Sequence, residues 1–144
     1  MHVREMTAEE CTQALSSARH GRLACARENQ PYVVPIYFVA RKGWLYSFSM
    51  LGQKIEWMRA NPLVCLEVDD AKGPDDWRSV VVSGRYRELS ERTEIVRVIE
   101  LLQARVMWWE PGVARVQQGN VQASSKPVFY GISVDRVTGR VAIA

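Results

Sequence analysis

Apolar positions recur along this chain with two different periods, and the switches between them mark out its elements. Thr7-Ala8-Glu9-Glu10 has the form of a capping box, with Thr7 as N-cap, Glu10 reaching back and a Met6–Cys11 staple. Ala8, Cys11, Leu15 and Ala18 then share a stripe, which predicts a helix over 8–18. After Gly21 a strand is expected over 22–28, and Asn29-Gln30-Pro31 reads as a hairpin turn. Residues 32–40 form a strand that is apolar on both faces, so both faces are expected to be covered. Arg41-Lys42-Gly43 turns back into a strand over 44–49, followed by a short helix over 54–60 that Asn61-Pro62 stops.

Further strands are expected over 63–68 and 77–89, separated by a loop, Asp69 to Asp76, that holds four aspartates. An EF-hand spacing is missing there, so a solvated acidic turn is expected. Gly84, in mid-strand, suggests a bulge or a close backbone approach. Ser90 is the expected cap of a third helix, in which Ile95, Val98, Ile99, Leu102 and Val106 share a face as far as about Met107. Trp108-Trp109-Glu110-Pro111-Gly112 ends it, and 113–126 is polar and irregular. Strands from Pro127 and over 140–144, joined at Thr138-Gly139, complete the chain. Hairpin-length connections make the sheet antiparallel, and closure into a barrel of six strands best manages its edges.

Two places carry candidate chemistry. The strand ending in Ser47-Phe48-Ser49 runs through Gly52 into Gln53-Lys54 at a helix start. Unpaired N–H groups, the positive end of the helix dipole, two hydroxyls and an ammonium suit a phosphate. The stretch reads either as that or as a plain strand–turn–helix junction with a solvated lysine; it is neither a P-loop nor a dinucleotide fingerprint. Pro35, inside the strand 32–40, cannot donate to a ladder, so this strand is an edge or is bulged. Its unpaired backbone either meets solvent or faces a planar heterocycle.

Composition narrows the classes. With 144 residues, 47% hydrophobic and 24% charged, the chain reads as a single globular domain over 1–144. It has no apolar run long enough for a membrane span and no signal-peptide pattern, so a cytoplasmic protein is expected. The net charge of +3 comes without a basic tract, which argues against nucleic acid as partner. Cys11, Cys25 and Cys65 fit no zinc pattern and read as buried free thiols, and two histidines without companions make a metal site improbable. Five tryptophans are heavy for this length and suit a planar ligand or an interface.

Gly21-Arg22-Leu23-Ala24, Pro31-Tyr32-Val33-Val34-Pro35-Ile36, Gly52-Gln53-Lys54, Asn61-Pro62-Leu63-Val64, Trp77-Arg78-Ser79-Val80 with Gly84, and Thr138-Gly139-Arg140 stand in an order that spans nearly the whole chain. Together they resemble the FMN-binding split barrels related to pyridoxamine 5′-phosphate oxidase, in their nitroimidazole-resistance-like branch. The resemblance implies a mainly β fold, a six-stranded antiparallel split β-barrel with flanking helices. It also implies a homodimer with FMN at the subunit interface. Val34, Pro35 and Ile36 would then pass along the isoalloxazine, with Ser47, Phe48 and Ser49 beside the ribityl chain and phosphate. Gln53 and Lys54 would reach the phosphate, Ser79 and Trp77 would stand near the flavin, and Trp109 and Arg140 would approach from the partner.

A flavin carries its own hydride and electron chemistry, and no catalytic acid or base is nominated. The reading is an FMN-dependent oxidoreductase or flavin reductase, passing electrons from NAD(P)H to a small acceptor. The same barrel admits the deazaflavin F420, haem, or a non-catalytic flavin-binding protein. True pyridoxamine phosphate oxidase activity fits less well, because the C-terminal substrate-phosphate residues are not identifiable.

Overall fold

The computed structural model describes residues 1–104 and 126–144. In chain order these form β1 (His2–Glu5), α1 (Ala8–Ser17), β2 (His20–Arg27), β3 (Gln30–Tyr37), β4 (Val39–Arg41), β5 (Trp44–Met50) and α2 (Gln53–Ala60). They continue with β6 (Leu63–Gly73), β7 (Asp76–Glu88), α3 (Arg92–Gln103), β8 (Pro127–Ser133) and β9 (Arg136–Ile143). All strand pairings are antiparallel. The strands run β3-β2-β6-β7-β8-β5-β4, with β9 also on β7 and β1 on β9.

The fold is mainly β, an antiparallel split barrel with flanking helices, and its hinge is β7. Residues 77–83 of that strand pair with β9, whereas Tyr86–Glu88 pair with β8. Between these stretches the Ser133 carbonyl crosses so close to Gly84 that a Cβ there would stand 1.7 Å from the oxygen. The close approach expected at Gly84 is therefore present, and no other residue fits without moving a backbone.

Inward side chains of both halves fill one core, including Leu23, Leu66, Val80, Val82, Leu45, Tyr130 and Ile132. Its apolar side chains alternate along β2 and β6 with exposed or half-buried ones, as a sheet with one covered face requires. A second, smaller cluster (Val39, Leu89, Val98, Leu102, Phe129) seats α3 on the outer side of the β5–β8 half. The Thr7 capping box forms as expected, with the Thr7 N–H donating to Glu10 at 2.8 Å and the Glu10 N–H to Thr7 Oγ1 at 3.2 Å.

Several expectations need correction. There are nine strands among the described residues rather than six. The short β1 is too polar to show a strand pattern. The stretch 32–40 divides at Phe38 into β3, which pairs with β2, and β4, which pairs with β5. The acidic stretch 69–76 is mostly ladder, because β6 and β7 stay paired as far as Gly73 and Asp76. The first hairpin turns at Glu28-Asn29, both at positive φ, one residue before the expected place. Glu91, not Ser90, caps α3, and it does so without a side-chain bond. Cys11 and Cys25 are buried, but Cys65 is exposed because it lies on the outer face of β6. The outer face of β3 is uncovered in the single chain, where Val33 is 62% exposed. The expected end of α3 near Met107, Trp109 and the irregular stretch 113–125 lie outside the described residues.

Candidate functional site

The corner where β5 passes into α2 keeps its helix donors open. Gly52 is the N-cap and supplies no side-chain bond to the first turn. A Cβ at Gly52 would meet only the Met50 carbonyl, at 3.9 Å, so the space before the helix is open. Lys54, one residue into α2, is half-buried. No carboxylate forms an ion pair with it among the described residues. Burial pushes its ammonium below the usual lysine range, and the neighbouring Cys25 thiol partly offsets this. Burial in turn raises the Cys25 thiol, and Lys54 tempers that shift. A partly buried lysine with no acid partner among the described residues is suited to pair with an anion.

The two serines serve this corner unequally. Ser47 is buried, and its hydroxyl donates to the Tyr37 carbonyl at 2.6 Å. Ser49 donates to the Met50 carbonyl at 2.9 Å, which leaves its oxygen lone pairs free to accept. Phe48 turns the other way and stacks on Phe129 at 5.5 Å, under α3. Gln53 is exposed beside Lys54.

Packing brings this corner to the β3 edge. Trp57 of α2 meets Tyr32 at 5.4 Å between ring centroids, and the Asn61 side chain donates to the Ala26 carbonyl at 3.1 Å. Cys25, beside Lys54, pairs with Tyr32, two residues before Val34. Val34, Pro35 and Ile36 follow Tyr32 on β3, whose other edge pairs with nothing among the described residues. Pro35 is tolerated there because an edge strand needs no donor on that side. Sequence reasoning missed the Cys25 thiol beside Lys54, since no spacing links residues so far apart.

Trp77, Ser79 and Arg140 form a separate group. Ser79 and Arg140 are direct cross-strand partners. They line a groove of about 400 Å³ together with Glu5 and Met6. Trp77 lies two residues before Ser79 on the same face, and its indole N–H donates to the Pro74 carbonyl at 3.2 Å. Three strand spacings, roughly 14 Å, separate this groove from β3. The residues expected at one site thus fall into two separate groups on one chain.

Sequence and fold comparisons agree on where the chain falls. The family model described as pyridoxamine 5′-phosphate oxidase matches residues 7–141. The chain belongs to this family. An uncharacterized protein of Rhizobium meliloti (strain 1021) is 40% identical over 148 residues, covering 100% of this chain and 98% of that protein. A crystal structure of a FAD-binding protein from Mesorhizobium loti matches with TM-score 0.82 and 44% identity, over 99% of each chain. The FAD-binding protein of Mycobacterium smegmatis shares the fold, with TM-score 0.69 and 21% identity, over 95% of this chain and 98% of that one. The chain therefore shares its fold with proteins named for flavin binding. No helix among the described residues is long and apolar enough to cross a membrane. No group of three His, Cys, Asp or Glu stands ready for a metal ion among those residues.

Proposed function

We propose that this chain is a flavoprotein that holds FMN between two copies of itself and passes electrons from NAD(P)H to a small acceptor. The observation that carries the reading is Lys54, half-buried without an acid partner among the described residues, at a helix start that Gly52 caps with no side-chain bond. In this reading Lys54, Gln53 and the α2 amides hold the phosphate. Ser49 accepts from the ribityl chain, and the free edge at Val34–Ile36 takes the polar rim of the ring. The flavin supplies the hydride and electron chemistry when bound; the chain orients it and shields one face from water.

The two separate groups support the homodimer, because a second copy brings Ser79 and Arg140 to the β3 edge. The outer face of the first sheet suits that contact. Val33, Leu63 and Val81 are 62%, 56% and 39% exposed there, with the small residues Ala24 and Ser83 between them. Arg22, Glu67 and Arg85 share that face, and exposed apolar side chains bordered by charged ones are what a subunit interface uses.

The names of the Mesorhizobium and Mycobacterium relatives favour a second reading, in which the flavin is FAD. Both flavins share the ribityl phosphate, so the corner serves either. The visible spectrum of the purified chain and the mass of the released cofactor decide between them. A Soret band would point to haem instead, and a colourless chain that takes up F420 would point to the deazaflavin. Bleaching by NAD(P)H followed by reoxidation by an added acceptor separates an enzyme from a flavin store.

Lys54→Met tests the corner itself, because it keeps the buried stem and removes the charge. A hydrogen bond to a charged group contributes about 1.5–3 kcal/mol. Flavin affinity should therefore fall by roughly 10- to 150-fold in a fluorescence titration. An unchanged dissociation constant would refute the assignment.

A further inference from the structure

A second cationic groove lies on the opposite wall of the barrel, where α3 meets the β4–β5 hairpin. It measures about 540 Å³, within the range of small-molecule sites. Arg41 and Lys42 enter from the hairpin turn, Arg87 from the end of β7 and Arg97 from α3. Tyr46 stands among them, and its phenol feels the charges of Arg41, Arg87 and Arg97 together.

Among the described residues, only one of these cations has an ion-pair partner. Arg87 lies over the Trp44 ring at 4.8 Å and makes a two-pronged contact with Glu94 at 2.8 and 3.4 Å. Gly131 makes room for this wall, since a Cβ there would press on both Trp44 and Tyr46 at 3.1 Å. Arg41, Lys42 and Arg97 form no ion pair among the described residues. One carboxylate in the groove, Glu91, remains to oppose the three. The first-turn amides of α3 also open here, because Glu91 caps them with no side-chain bond.

This groove is not the α2 corner seen from another side. Tyr46 precedes the end of β5 by four residues, about 13 Å at strand rise. Tyr46 also faces the α3 layer, whereas the next residue, Ser47, faces the core. A flavin phosphate held at Lys54 does not neutralise these cations.

We propose that the groove between α3 and the β4–β5 hairpin is a second anion site, which takes a small phosphorylated ligand on Arg41, Lys42 and Arg97. Three guanidinium and ammonium groups repel one another when no anion is present, and a phosphate dianion reverses the sign of that interaction. The pinned Arg87–Trp44 wall gives the site a rigid side. A groove of this size, with Glu91 among its lining residues, fits a compact ligand better than the extended backbone of a nucleic acid.

Inorganic pyrophosphate is the probe, titrated into the full chain at low ionic strength and followed by Trp fluorescence and by calorimetry. Saturable binding is expected, weakened roughly tenfold or more by Arg97→Gln and by Arg41→Gln and retained by Lys54→Met. Both arginines are exposed, so these variants should fold as the parent does. Absence of saturable binding overturns the proposal, as does equal affinity in the two arginine variants. Loss in Lys54→Met alone assigns the anion to the α2 corner and overturns it equally.

Discussion

Gly84→Ala puts the split of the barrel to the test. The new Cβ would lie 1.7 Å from the Ser133 carbonyl oxygen and 2.9 Å from its carbon, whereas ordinary contact begins near 3.4 Å. Both atoms are backbone, so no rotamer relieves the clash and the two strands must part by well over 1 Å. That parting strains two hydrogen bonds, Asp135 N–H to the Ser83 carbonyl and Arg85 N–H to Ser133 Oγ, each 3.1 Å long. Overpacking costs about 1–3 kcal/mol, and the two hydrogen bonds contribute about 0.5–1.5 kcal/mol each. The expected loss is thus about 2–6 kcal/mol, against a total of roughly 7–20 kcal/mol for a domain of this length. At about 2–4 °C per kcal/mol, Tm should drop by roughly 4–24 °C. Urea midpoints and calorimetry measure this, with Gly73→Ala as control, since a Cβ there meets nothing within 4 Å. If Gly84→Ala unfolds together with Gly73→Ala, the crossing of β7 has been misread.

Other perturbations report on single features. Tyr130 is fully buried, and its hydroxyl has no hydrogen-bond partner among the described residues, although Ser47 lies near enough to temper a pKa that burial pushes up to about 12. An unsatisfied buried donor costs about 1–3 kcal/mol, so Tyr130→Phe should leave Tm unchanged or raise it, and a drop beyond about 1 kcal/mol would reveal a hidden partner. Glu10, paired with Arg4 at 2.9 Å through both oxygens and accepting from the Thr7 amide, has its carboxyl lowered from 4.5 to about 2. A depressed carboxylate stabilises the fold above its unfolded pKa and loses that contribution as pH falls from about 4.5 towards 2. Glu10→Gln should therefore show a smaller loss of urea midpoint over that window, and an identical acid profile would contradict the pairing. Val33→Glu places a charge at the centre of the proposed interface. It should convert a dimer to monomer in sedimentation while changing monomer stability by only about 0.5 kcal/mol; a dimer untouched by it places the interface elsewhere.

The sequence by itself determined whatever depends on near neighbours in the chain. The Thr7 box, the stop at Asn61-Pro62 and the Lys42-Gly43 turn are local, because caps and turns are decided by residues three or four apart. The motif order from Gly21-Arg22 to Thr138-Gly139-Arg140 likewise carried the family, and Lys54 stood out because a helix start advertises itself in sequence.

Tertiary structure alone decided the rest. Whether the strand from Tyr32 runs on to Ala40 depends on its partners, because residues up to Tyr37 pair with β2 and those from Val39 pair with β5. Strand pairing decided that Cys65 faces outward and Cys25 inward, since alternation sets two faces but the sheet chooses which one is covered. Contacts between distant segments placed Lys54 beside Cys25 and set Ser79 opposite Arg140. Burial is a property of the packed whole, so the unpaired charge of Lys54 became visible only once the chain had closed around it.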